Sequence, residues 1–271
     1  MTERRPVRMI ATDLDGTLLR SDGRVSPRVR SSLLAALDAG VEIVPATGRP
    51  RMVAEDVIAE LDFVHHWIFA NGSVTWHLGR SELVRGFWLD LDLVRDLIGR
   101  LRRVVPTAGF AVEFDDDVAY EPGFEHVVPQ MPATPPTDDL VATLDRRVQK
   151  LLVFDTARSV EDLYAAVDTV VGDLAVPSYS GLAFIELAAS LVTKASAVEH
   201  LAADLGIGRD EVAAFGDNHN DIALLRWAGR SFAMANATDD ARAAADEVIG
   251  SNDEDAVAAK IDELVAELGS G

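Results

Sequence analysis

The sequence predicts an α/β fold: a doubly wound parallel sheet, interrupted by an inserted α+β segment. Three observations predict it. Short apolar runs near both ends of the chain stop abruptly at polar residues: Met9–Thr12 before Asp13, Val41–Ala46 before Thr47, and Val212–Phe215 before Gly216-Asp217. Helical stretches with cap signals stand between these runs, the alternation expected of parallel strands joined by crossover helices. Between about Glu82 and Glu186 the character changes to strands that alternate apolar and polar residues, as in a sheet covered on one side.

Composition sets limits on function. The chain has 271 residues, enough for one large domain with an insertion or for two domains. Its formal charge is -20, from 25 basic and 45 acidic side chains. Such a field repels nucleic acid and anionic membranes, so no nucleic acid and no membrane partner is expected. It also makes any anionic substrate depend on local positive charge or a metal. The chain has no cysteine, which excludes disulfides and thiolate metal sites. No apolar run approaches membrane length and the first residues do not form a signal sequence, so a cytoplasmic location is expected.

The opening strand breaks at Asp13 and Asp15, followed by Gly16 and Thr17. Residues i and i+2 share a side of a strand, so the two carboxylates are expected to project together, and Gly16 lets the chain turn away. Adjacent anions persist where a cation or a shared proton offsets them; Mg2+, a hard cation with oxygen ligands, fits. A helix N-cap followed by a solvated acid fits the same residues, so the remaining motifs decide.

Ser26-Pro27 reads as an N-cap with proline in the first turn, leading a helix over Arg28–Asp38 that stops at Gly40. Val41–Thr47 reads as a strand, with Pro45 tolerable only where the ladder has ended or is irregular. A helix over Arg51–Leu61 and a third strand over His66–Ala70, ending at Asn71-Gly72, complete a βαβαβ pattern. In such sheets the site lies beyond the carboxyl ends of the strands.

The inserted segment shows strands at Phe110–Phe114, Val148–Phe154 and Ala183–Leu187 and a helix over Leu91–Arg103. Asp115-Asp116-Asp117 reads as a solvated turn between hairpin strands. Five of the eleven prolines fall between Pro122 and Pro136, marking a long loop. The parallel pattern then resumes: a helix over Lys194–Leu205, strands Val212–Phe215 and Phe232–Ala235, and a last helix opened by the capping box Ser251–Glu254.

If the sheet is parallel, four clusters meet in one crevice: Asp13/Asp15, Thr47/Gly48, Lys194, and Asp217/Asn220/Asp221. Carboxylates from two strands can hold a magnesium ion between them. Thr47, the Gly48 N–H, Lys194 and Asn220 are donors suited to a tetrahedral oxyanion. A metal, donors and a free carboxylate are the parts of phosphoryl transfer. Asp13 would attack phosphorus to give an aspartyl phosphate, while Asp15 would protonate the leaving oxygen and later activate water. Taken singly, each piece has a plainer reading: Thr47-Gly48 a turn, Lys194 a surface lysine, Asp217 a helix cap, and Asn71 and Asn236 turn formers. Their conjunction in order is the specific signal.

That conjunction resembles the haloacid dehalogenase superfamily. Asp13-Leu-Asp15-Gly-Thr17 is similar to its first motif, Thr47-Gly48-Arg49-Pro50 to its second, Lys194 to its third and Gly216–Asp221 to its fourth. Asn71-Gly72 and Met234–Ala237 add a likeness to the Cof-type branch, whose members carry a class IIB α+β cap between the second and third motifs. The resemblance implies a Rossmann-like core over residues 1–81 and 188–271 and an inserted α+β cap over 82–187. It implies a cap that closes over a small phosphorylated metabolite such as a sugar phosphate, on hinges placed near Glu82 and Glu186. By position it makes Asp13 nucleophile and metal ligand, and Asp15 acid/base and metal ligand through its carbonyl. Asp217 becomes a metal ligand, Asp221 a support of the metal, and Thr47, Gly48, Lys194 and Asn220 phosphate-binding residues. Ala195 after the third-motif lysine and Pro45 depart from the family pattern.

The expected activity is therefore Mg2+-dependent phosphomonoester hydrolysis. A phosphomutase of the same fold, a receiver domain and a non-catalytic phosphate-ester sensor are the competing readings. A monomer or small homo-oligomer is expected. Substrate identity is expected to rest on cap residues, with Pro122–Pro136 and Ser178–Phe184 the first places to look.

Overall fold

A computed structural model describes residues 5–128 and 135–269. Its first elements are β1 (Met9–Thr12), α1 (Pro27–Asp38), β2 (Glu42–Pro45), α2 (Glu55–Glu60), β3 (His66–Phe69), β4 (Val74–His77) and β5 (Glu82–Gly86). There follow α3 (Leu91–Val104), β6 (Gly109–Glu113), β7 (Val118–Tyr120), β8 (Lys150–Phe154), α4 (Val160–Val171), β9 (Ala175–Ser178) and β10 (Phe184–Ala189). The chain closes with α5 (Lys194–Asp204), β11 (Val212–Gly216), α6 (Ile222–Trp227), β12 (Arg230–Ala233), α7 (Asp239–Ala244), β13 (Glu247–Val248) and α8 (Ala256–Leu268). Contacts divide it into two units. One holds the chain up to Arg49, Val53–Arg85 and everything from Thr193; the other holds Pro50–Met52 and Gly86–Val192.

The first unit is built on a parallel sheet in the order β13-β12-β11-β1-β2. Its central strands β1 and β11 are buried along their whole length, which is why they read as unbroken runs with no polar alternation. Ile10 joins a core with Leu33 of α1 and Ile261 of α8, while Met9 and Ala11 face Val198 of α5 and Leu224 of α6. Ser26 caps α1 by accepting from the Val29 N–H at 3.1 Å. The Glu42 N–H donates to the carbonyl of Arg8, just before β1, and the Ala46 N–H to that of Thr12, so the Pro45 nitrogen falls on the other side of β2. There the pairing is a single bridge, Ala46 to Ile68, and the proline leaves no ladder bond unmade.

Two expectations change here. The third strand is not a full member of the parallel sheet: β3 touches β2 through that one bridge and pairs antiparallel with β4 in a hairpin extended by β5. The helix expected over Arg51–Leu61 is a short 3-10 turn at Arg51–Val53 followed by the six-residue α2.

The second unit is an antiparallel sheet in the order β7-β6-β8-β10-β9. Phe110, Val112, Leu151, Val153, Ile185 and Leu187 form one face and share a core with Leu97 and Leu101 of α3 and Leu163 and Val167 of α4. The alternate residues carry a second cluster around Phe124, Phe154 and Phe184. In the same strands Lys150 is buried between Glu186, at 2.5 Å, and Glu113, at 2.9 Å. Glu186 is thus an interior residue of β10, not a hinge; the division between units falls at Val192/Thr193. Asp115–Asp117 joins β6 and β7 as expected, but it is paired rather than merely solvated. Asp115 accepts from Trp88 Nε1 at 3.0 Å and Gln149 Nε2 at 2.9 Å, and Asp117 pairs with Arg146 at 2.8 Å. Part of the Pro122–Pro136 loop, residues 129–134, lies outside the described residues.

Candidate active site

The residues given a role in the motifs lie in the first unit, at the carboxyl ends of its strands or, for Lys194, at the start of α5. β1 ends at Thr12, and the Asp13 N–H is held by the Phe215 carbonyl of β11 at 3.0 Å. The chain then enters a wide turn over Leu14–Leu18 in which Gly16 takes a φ of 77°. A Cβ at Gly16 would lie 2.5 Å from Asp217 Oδ2, so glycine lets the turn press against that carboxylate. This early end of the strand overturns the expectation that Asp13 and Asp15 project together. Asp13 is buried, whereas Asp15 is exposed and forms a two-pronged ion pair with Arg49, its Oδ2 2.8 Å from Arg49 Nε. A bidentate guanidinium–carboxylate pair fixes both planes, and Arg49 was the residue of the second motif given no role by the sequence reading.

Lys194, the first residue of α5, is 0% exposed. Its ammonium lies 2.5 Å from Asp13 Oδ1 and 2.7 Å from Asp221 Oδ1, which excludes the surface-lysine alternative. The helix start that positions it is a capping box between Thr193 and Ser196, and Ala195 continues that helix without disturbance. Burial works against the lysine's charge, but Asp13 and Asp221 outweigh it and hold its pKa above the usual value.

After β11 the chain makes a tight turn organised by Asp221. Its Oδ2 accepts from the N–H groups of Asp217 and Asn218, both at 3.0 Å. Asp217 itself is bound by Thr17 Oγ1 at 2.8 Å, a contact that joins the first motif to the fourth. Asn220 donates through Nδ2 to Asn71 Oδ1 at 2.9 Å, and its own Oδ1 is buried with no partner among the described residues. Thr47 is buried, its Oγ1 accepting from the Arg49 N–H at 3.0 Å and its carbonyl from the Asn71 N–H at 3.0 Å. Gly48 lies between Thr47 and Arg49 in the same turn.

Among the described residues the carboxylates of Asp13, Asp217 and Asp221 each offer an oxygen, all within 4.8 Å of one another. Three buried acids against one lysine leave an excess of negative charge. Burial raises Asp217 to about 6, and the Asp221 charge adds to it. Asp13 is raised by burial against the pull of Lys194, with Asp221 and Asp217 adding to the rise. A hard divalent cation suits an all-oxygen donor set and would relieve this repulsion. The carboxylate of Asp15 is not part of the acid group.

Sequence reasoning missed Thr17, Arg49 and Asn71. Thr17 and Arg49 stood inside quoted motifs, and that adjacency was the available signal. Asn71-Gly72 was read as a turn signal, which it also is.

A family model described as haloacid dehalogenase-like hydrolase matches residues 10–261. The chain is 32% identical to a putative phosphatase of Bacillus subtilis, YxeH, over 95% of this chain and 98% of that one. It is 27% identical to a second Bacillus subtilis protein, 5-amino-6-(5-phospho-D-ribitylamino)uracil phosphatase YitU, over 92% of this chain and 94% of the other. Among solved structures, the subclass IIB sugar phosphatase BT4131 superposes with a TM-score of 0.82 at 22% identity, covering 95% of this chain and 98% of that one.

Proposed function

The chain belongs to the haloacid dehalogenase-like hydrolases, and from that premise we propose that it is a Mg2+-dependent phosphatase of small phosphorylated metabolites working through an aspartyl phosphate. The observation that carries this reading is the meeting of Asp13, Asp217 and Asp221 around a fully buried Lys194.

In this reading Asp13, Asp217 and the Asp15 carbonyl hold the cation. Asp221, whose two oxygens already serve Lys194 and two backbone N–H groups, supports it from behind. When bound, the cation neutralises phosphate charge and keeps Asp13 ionised. Asp13 supplies the attacking oxygen, and Lys194, Thr47, the Gly48 N–H and Asn220 hold the phosphoryl oxygens. Asp15, once its pair with Arg49 opens and its carboxyl is protonated, gives its proton to the departing ester oxygen. Asp15 then takes a proton from water, which attacks phosphorus, releases phosphate and restores Asp13. Uncatalysed monoester hydrolysis is slow enough that enzymes accelerate it by up to ~10²¹, so fixed charge must supply most of the effect.

The core role is assigned to the first unit and the cap role to the second, whose main segment Gly86–Val192 lies a few residues from the expected bounds at 82 and 187. Substrate choice is assigned to that inserted segment; the names of YitU and BT4131 support a phosphorylated sugar or sugar-like polyol as the class to test first. The deciding experiment is phosphate release by purified protein from a panel of phosphorylated metabolites, with and without Mg2+. Steady release that needs the metal, and no bisphosphate activator, is the expected result. No turnover of any ester with Mg2+ present, alongside tight ester binding, would replace the enzyme with a sensor.

A further inference from the structure

Residues 70–72 form a turn whose backbone is costly to build. Ala70 has a φ of 52°, Asn71 of 56° and Gly72 of 105°, three left-handed residues in succession. Left-handed backbone at a residue with a Cβ is unfavourable, and such strain persists where the surroundings determine it.

The surroundings here are the candidate site itself. The Ala70 N–H donates to the Arg49 carbonyl and the Asn71 N–H to the Thr47 carbonyl, both at 3.0 Å, so the turn is stitched to the second motif on both sides of Gly48. At Gly72 a Cβ would lie 2.3 Å from the Thr193 carbonyl oxygen, so the backbone also lies against the N-cap of the helix that starts with Lys194. From this platform the buried Asn71 side chain reaches the third element, accepting from Asn220 Nδ2 at 2.9 Å. One strained turn therefore touches the second, third and fourth motifs together.

Resting on the hydrolase reading above, we propose that Asn71 is a positioning residue for Asn220. Its carbonyl oxygen occupies one Nδ2 hydrogen and so aims the other, with the unpartnered Oδ1, into the site. The left-handed backbone at residues 70 and 71 is what brings the Asn71 side chain within reach, and this accounts for strain that a plain turn after β3 does not need.

A mutant cycle on the full chain tests it. Asn71→Gly removes the side chain at a φ that glycine adopts freely, so the fold should hold, with a modest fall in melting temperature from the lost buried hydrogen bond. Asn71→Gly and Asn220→Ala are each expected to lower kcat/KM about 10- to 100-fold, the scale of lost positioning partners. Combined, they should be no worse than Asn220→Ala alone, as expected of a residue that acts through Asn220. Losses that multiply overturn the proposal. A readout independent of turnover is the Asn220 side-chain amide signal in a 15N spectrum. Asn71→Gly should move it. An Asn220 signal unmoved in Asn71→Gly also overturns the proposal, even if no ester substrate is ever found. A wild type that is inactive on every ester, with the signal moved as expected, would count against the hydrolase alone.

Discussion

The Lys194 ammonium stands 2.5 Å from Asp13 Oδ1, and the lysine has no exposure to solvent. A buried ion pair of this kind contributes little net stability, because desolvation offsets the attraction, but breaking it leaves a buried charge uncompensated. Asp221 shares the same ammonium and Asp217 lies close by, so the lysine is outnumbered by acids.

The first prediction follows from that imbalance. Adding Mg2+ should raise the melting temperature of the wild type and chelation should reverse it. At a hundredfold excess over Kd the stabilisation is about 2.7 kcal/mol. Asp217→Asn should shrink the increase. A melting temperature indifferent to Mg2+ in the wild type would remove the cation from the site.

Asp13→Asn keeps the size of the side chain and a hydrogen-bond acceptor for Lys194 but removes the nucleophile. Turnover should fall on the order of a thousandfold or more, while circular dichroism and melting stay close to wild type. A folded Asn variant with near-normal phosphate release identifies another residue as the nucleophile.

The buried cluster of the second unit gives a pH dependence. Burial raises Glu113 from 4.5 to about 7, against the pull of Lys150 and with Glu186 adding to the rise. A carboxyl whose folded pKa is raised binds its proton more tightly in the folded state. Its contribution is therefore full below about pH 4.5 and is lost as pH rises through about 7. Glu113→Gln, which stays neutral, should gain stability relative to wild type as pH goes from 5 to 8. Equal melting-temperature differences at both ends of that range would show that Glu113 titrates normally.

Leu191 is 85% exposed with a φ of 66°, in the turn closed by the Val192 N–H on the Ala189 carbonyl at 3.0 Å. Turns with positive φ at the third position favour glycine. Leu191→Gly relieves a backbone cost of about 1–2 kcal/mol. Glycine's greater unfolded-state freedom returns about 0.4–1 kcal/mol of that. Almost no buried apolar area is lost, so the melting temperature should rise slightly; a clear fall would show that the exposed leucine packs against something.

Much of the site was legible because its residues are local to strand ends. A run such as Val212–Phe215 ending in Gly216-Asp217 announces both the strand and the point where it stops, and in a parallel sheet all such points lie on one edge. Other features were not legible. Whether Asp15 follows Asp13 inward depends on whether β1 continues past Thr12. The Leu14–Leu18 turn decides that, and Asp15 goes to Arg49 instead. That β3 would leave the parallel sheet for a hairpin with β4 was likewise hidden, since a run as short as Trp67-Ile-Phe69 pairs equally well either way.

The sequence by itself determined which residues to look for together, Asp13, Lys194, Asp217 and Asp221 among them, because motif spacing is a property of the chain. Tertiary structure alone decided which oxygen meets which nitrogen. Lys194 is 181 residues from Asp13, and Asn220 is 149 residues from Asn71. A contact over such a distance exists only after folding, when exclusion of water makes each charge dependent on the partner brought to it.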